Sequence, residues 1–101
     1  MANVYTGNPW ILDTAATIVA KGSTVKIVKM AFFAYAAGDD LSVTDSAGNP
    51  IWKVRAAAPG TNYEDYAACT FEPPVPLTFN GFIVATLDNG SNGSELWVWL
   101  A

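Results

Sequence analysis

The sequence predicts an all-β protein, a single-domain antiparallel β-sandwich (jelly-roll-like, or a small barrel) of about seven strands. Two observations lead there. Turn signals recur at intervals of about eight to twelve residues, and the segments between them are rich in Val, Ile, Thr and aromatic residues. The size agrees, since 101 residues with 51% hydrophobic content suffice for one core and no repeat or Ser/Gly-rich linker divides the chain. One domain over residues 1–101 is expected, with residues 1–10 as a candidate N-terminal arm.

Taken in order, "NPWIL" (Asn8 to Leu12) and "ATIVA" (Ala16 to Ala20) read as two short strands, the second closed by "KGS". From Thr24 to Gly38, Val25 and Ile27 alternate with Lys26, but Lys29 then falls on the face that Val25 and Ile27 began. A β-bulge near Val28 restores order, because one extra residue flips every later side chain. A helix from Val25 to Ala37 capped by Gly38 competes, and the β-branched opening "TVKIV" favours the strand.

The stretch "DLSVTDSAGNPIWKVRA" is the clearest hairpin. Leu41 and Val43 alternate with Ser42 and Thr44, the turn "DSAGN" supplies Gly48 and Asn49 for positive φ, and Trp52, Val54 and Ala56 return against Lys53 and Arg55. Pro50 fits the first position of the return strand, where a missing N–H is tolerated. "APGTNYEDY" reads as a loop. Pro73, Pro74 and Pro76 have PxxP spacing, but with no basic residue nearby they read as a stiff, strand-free crossover. A last hairpin is expected to join "GFIVATL" to "ELWVWL" through an exposed tip, "DNGSNGS".

The absence of histidine removes His-based triads and the commonest metal ligands. The carboxylate pairs Asp39/Asp40 and Glu64/Asp65 read as solvated turn residues, because neighbours on an extended chain point apart. No glycine motif cradles phosphate, so no enzyme, cofactor or metal is expected. Cys69 is the only cysteine and reads as a small apolar side chain. A net charge of −4 opposes nucleic acid as a partner. Charge is also uneven: residues 1–55 hold five basic and four acidic residues, whereas residues 56–101 hold five acidic and no basic ones. Such polarity helps subunits orient. No apolar run approaches the 18 or so residues of a membrane span, and the start of the chain lacks a secretory signal pattern, so synthesis in a cytoplasm is expected.

What rises above background is aromatic excess, four Trp, four Tyr and five Phe. The end of the chain concentrates the problem. In "ELWVWL", Leu96, Val98 and Leu100 point one way and Trp97 and Trp99 the other, so both faces are apolar. An internal second layer, a neighbouring subunit or shell, or a stacked carbohydrate would each cover the tryptophans.

Several residues then suggest a family. The frame comprises Asn8, Pro9 and Trp10; Asp13, Thr14 and Ala15; Lys26 and Lys29; Ala37, Gly38 and Asp39; Asp45, Gly48 and Asn49; and Leu87, Asp88 and Gly90. It resembles short virion structural proteins of tailed bacteriophages and prophages, of the capsid decoration or cement type. The last turn departs from it, being lengthened by Ser91 to Ser94. The resemblance implies a non-enzymatic all-β structural protein of the phage capsid surface. Together with the two-faced last strand it leads to the expectation of a chain made in the host cytoplasm that forms a small symmetric homo-oligomer, a trimer being favoured, and binds the major capsid protein or another virion protein. A tail, neck or head-fibre component and a carbohydrate-binding module are the alternatives. The interface residues expected on this reading are Trp10, Trp97, Trp99, Phe33 and Tyr35, with Trp10→Ala weakening assembly more than folding.

Overall fold

The computed structural model describes residues 3–4, 6–36, 38–56 and 67–101. They form seven strands: β1 (Trp10–Leu12), β2 (Ala16–Ala34), β3 (Asp40–Thr44), β4 (Pro50–Arg55), β5 (Ala67–Phe71), β6 (Leu77–Leu87) and β7 (Glu95–Leu100). All pairings are antiparallel, in one sheet of order β1-β7-β2-β6-β3-β4, with β5 also on β2. The expected all-β class is thus observed, and the helix weighed for Val25 to Ala37 is not, since β2 stays extended through Ala34. The expected loop "APGTNYEDY" lies outside the described residues.

Strand β2 organises the sheet. Ile27 pairs with Leu77 of β6 on one flank and Leu100 of β7 on the other; Met30 pairs with Phe71 of β5 and Val98 of β7. Along one flank of β2, therefore, β6 is succeeded by β5, while β7 occupies the opposite flank. The proline segment, residues 72–76, is the strand-free joint between β5 and β6, as the missing N–H groups require.

Two irregularities shape β2. The register with β7 shifts between Ile27 and Lys29, the bulge that the position of Lys29 predicts. Val25 and Ile27 point inward before it, Met30, Phe32 and Ala34 after it, and Val28 is left on the surface. Further back, "KGS" does not end a strand. Between the pairs Val19↔Phe82 and Thr24↔Asn80, β2 has Ala20 to Ser23 where β6 has only Gly81. This excess bends both strands without breaking β2: Gly22 (φ 93°) donates its N–H to Asn80 Oδ1 at 3.0 Å, and Gly81 (φ 82°) takes the opposing bend. A side chain at Gly81 has no room, because its Cβ would lie 2.7 Å from Ser46 Cβ.

The bent sheet wraps one core. Leu12, Ile27, Met30, Phe32, Leu41 and Leu96 are fully buried, although they come from four separate strands. Trp10 on the edge strand β1 meets Phe82 of β6 edge-on, with ring centroids 5.8 Å apart. At the other end of the sheet Trp52 of β4 packs on Phe71 of β5, also at 5.8 Å. Cys69 is partly buried against this core.

The β3–β4 hairpin forms as expected. Asp45 Oδ1 accepts the N–H groups of Ala47 and Asn49, each at 2.9 Å, and Gly48 takes φ 85° while Asn49 does not enter the positive region. The expected β6–β7 hairpin does not form. These strands lie on opposite flanks of β2, and the connection arches between them through a short 3-10 turn at Gly90–Asn92. Nor is this connection a free tip: Gly90 lies so close to Asp13 O that no Cβ fits, and Ser94 is buried. The Asp39 carboxylate accepts the Ala36 N–H at 2.8 Å and bonds from Asn89 Nδ2 and Ser94 Oγ, tying the arch to the β2–β3 corner. At the N-terminus, Val4 bridges Ile11 and Asn3 Oδ1 accepts the N–H groups of Asp13 and Thr14. Asn8 extends the β1–β7 ladder with its side-chain amide, bonding the N–H and C=O of Leu100 at 2.9 Å each. The described part of the candidate arm is thus bonded to the sheet.

Candidate functional site

Strand β7 resolves the two-faced pattern. Leu96 and Val98 are fully buried, whereas Trp97 and Trp99 lie half-buried on the outer face. The bulge at Val28 sets the matching face of β2, so that Lys29, Ala31 and Phe33 stand beside Trp99, Trp97 and Glu95 respectively. On the other side Ile11 of β1 pairs with Trp97, and Val4 beyond it is 46% exposed.

The rings cover one another incompletely. Phe33 meets Trp97 edge-on at 5.5 Å, and Trp97 tilts against Trp99 at 5.9 Å. Lys29 Nζ lies 5.2 Å from the centre of the Trp99 ring, a cation–π contact that occupies one ring face. The indole N–H of Trp97 donates to Glu95 Oε1 at 3.1 Å, so its polar edge is satisfied. The result is a preformed apolar surface with a cation at one end and an anion at the other. It suits contact with another surface better than stacking of a sugar, which needs an open ring face.

Of the expected interface residues, the fold brings Phe33, Trp97 and Trp99 together. Tyr35 lies just past the end of β2, 44% exposed, its backbone N–H held by Ser94 Oγ at 2.8 Å. Trp10 is placed elsewhere: it is only 7% exposed, with its ring in the core. Strand β1 turns Trp10 and Leu12 inward and Ile11 outward, so the apolar edge facing solvent is supplied by Ile11. Lys29, Ala31 and Ile11 were not among the expected residues, yet the signal for Lys29 was present in the parity slip at Val28.

A second surface feature is polar. An open depression of about 480 Å³ on the opposite part of the sheet is lined by Asp40, Ser42, Lys53, Arg55 and Thr86 with Leu41 and Val54. Arg55 Nε donates to Asp40 Oδ1 at 2.7 Å, and its guanidinium holds the Asp40 carboxyl below the usual carboxylate range. The two carboxylates of Asp39/Asp40 therefore have separate structural tasks, one in the buried corner and one in a surface ion pair. Glu64 and Asp65 lie outside the described residues. Among the described residues, no group of three His, Cys, Asp or Glu side chains is placed to hold a metal ion, and no helix is long and apolar enough to cross a membrane.

Comparison of the chain with protein-family models, with curated proteins and with solved structures finds no match.

Proposed function

We propose that this chain is a non-enzymatic structural protein of a bacteriophage virion, a capsid decoration or cement protein that binds the assembled head. The observation that carries the reading is the outer face of β2 and β7, where Phe33, Trp97 and Trp99 remain partly exposed on a rigid sheet whose other face already fills the core. An aromatic surface held in place loses little side-chain freedom on contact, and Trp is a preferred anchor in protein interfaces. Attachment to a repeating shell multiplies modest single contacts by avidity. The phage-like frame of the sequence supports the same reading, and the major capsid protein is the partner it proposes.

The test is imaging and protein analysis of purified particles. The proposal expects this chain on the head surface, with Trp97→Ala and Trp99→Ala reducing its occupancy while leaving the free protein folded. Location on a tail, neck or fibre would move it to another virion part, and absence from particles would sink it.

A further inference from the structure

The aromatic face carries its two charges at opposite ends. Lys29 pairs with Trp99 at one end of the β2–β7 ladder and Glu95 with Phe33 at the other, with Trp97 and Ala31 between them. Four strand positions separate these ends, roughly 13 Å at about 3.3 Å per residue. Lys29 and Glu95 therefore do not meet within one chain. Among the described residues neither has an ion-pair partner: Lys29 rests on the Trp99 ring and Glu95 accepts the Trp97 indole N–H.

Such a face is complementary to itself. A two-fold axis lying between two stacked copies, crossing the strands near Trp97, exchanges the ends of the face. Lys29 then stands opposite the partner's Glu95, twice per pair, and the aromatic rows stack between these contacts. We propose that the outer face of β2 and β7 pairs with the same face of a second copy of this chain, with Lys29–Glu95 ion pairs at both ends. This rests on reading that face as a contact surface. An isologous contact of this kind closes at two subunits rather than the three expected from the sequence, and the pair exchanges this contact for the shell on attachment.

The intact chain is tested by sedimentation over a concentration series and by zero-length carbodiimide coupling of a mixture of ¹⁵N-labelled and unlabelled protein. A mixed-isotope peptide joining Lys29 to Glu95 is expected, because separation within one chain prevents that link from forming internally. Lys29→Glu and Glu95→Lys should each weaken pairing about tenfold or more, since each sets like charges opposite one another, and the double exchange should restore it. Circular dichroism checks folding; if a reversal unfolds the chain, Lys29→Gln and Glu95→Gln replace it, with a smaller loss expected. A wild-type monomer at millimolar concentration, absence of the mixed link, or pairing indifferent to the exchanges would overturn the proposal. Particle binding separates it from the functional reading. Monomeric wild-type protein that still decorates particles defeats the pairing alone, whereas a dimer absent from particles defeats the virion role alone.

Discussion

The four tryptophans of this chain have three separate fates, and these follow from strand position rather than residue type. Trp10 fills the core, Trp52 covers β5, and Trp97 and Trp99 line the outside. Replacing Trp10 with Ala should cost about 3–5 kcal/mol, the usual range for emptying a large core site. Trp99→Ala should cost less, about 1–2 kcal/mol, because its ring lies on the outer face and stays partly exposed. Thermal melts of the two variants check this contrast, and equal losses would refute the placement of Trp10. Two surface carboxylates set the acid limit at the same scale. Asp40 is held below its ordinary value of 3.8 by its hydrogen bond and charge contact with Arg55, and Asp45 is lowered chiefly by the Asn49 N–H. A folded-state pKa below the unfolded one means that the stabilisation is present above the ordinary carboxylate range and is lost as pH falls through and below it. The melting temperature should therefore be level above about pH 5 and fall below about pH 4. The double variant Asp40→Asn/Asp45→Asn should flatten that fall.

Single strands show how far sequence reasoning reaches. The β3–β4 hairpin was legible because alternation, an Asp acceptor and a glycine at the turn all agree locally. The bulge was legible too, since Lys29 on the core side of an unbroken strand would bury an unpaired charge. The outward course of Trp97 and Trp99 followed from their alternation with Leu96 and Val98, although which set faced the core awaited the fold. The continuity of β2 through "KGS" was hidden, because a glycine that bends a strand and one that ends it look alike in sequence. The false β6–β7 hairpin has a related cause: Asn89-Gly90 marks a change of direction but does not say which strand receives the chain. Here the long β2 offers a flank to each, and the Asp39 carboxylate anchors the arch between them. Trp10 was misplaced for want of any local signal, as a three-residue edge strand has too few residues to fix its inward face. The bulge supports a test of its own. Deleting Val28 should leave the chain folded, because Lys29 then follows Ile27 directly, still in register with Trp99, and Met30, Phe32 and Ala34 keep their inward face; Val28→Thr should alter stability by only about 0.5 kcal/mol. A deletion variant without a native circular dichroism spectrum would show that the bulge does more than set the parity.

Across the whole molecule, stability should be graded from β2 toward the edges. Residues 30–33 of β2 are flanked by β5 and β7 together, while among the described residues β4 pairs only with β3, and β1 has β7 on one side and the single Val4 bridge on the other. The edges are also chemically blunted: Pro50, Lys53 and Arg55 mark β4, and the proline segment interrupts the flank of β2 where β5 gives way to β6. These features make edge-to-edge joining through β4 a poor route to assembly, in keeping with the aromatic face as the proposed contact. The sheet also depends on pairings distant in sequence, such as Trp10↔Val98 and Ile27↔Leu100, so β2 cannot lose its partners without opening the core. Amide hydrogen exchange reads this gradient directly. Hydrogen-bonded amides of residues 27–33 in β2 should exchange only through global unfolding and share one opening free energy. Amides at the outer edges of β1 and β4 should exchange orders of magnitude sooner. If β2 exchanged as early as β4, the sheet would open in separate parts, and the rigid support on which the aromatic contact face depends would be lost.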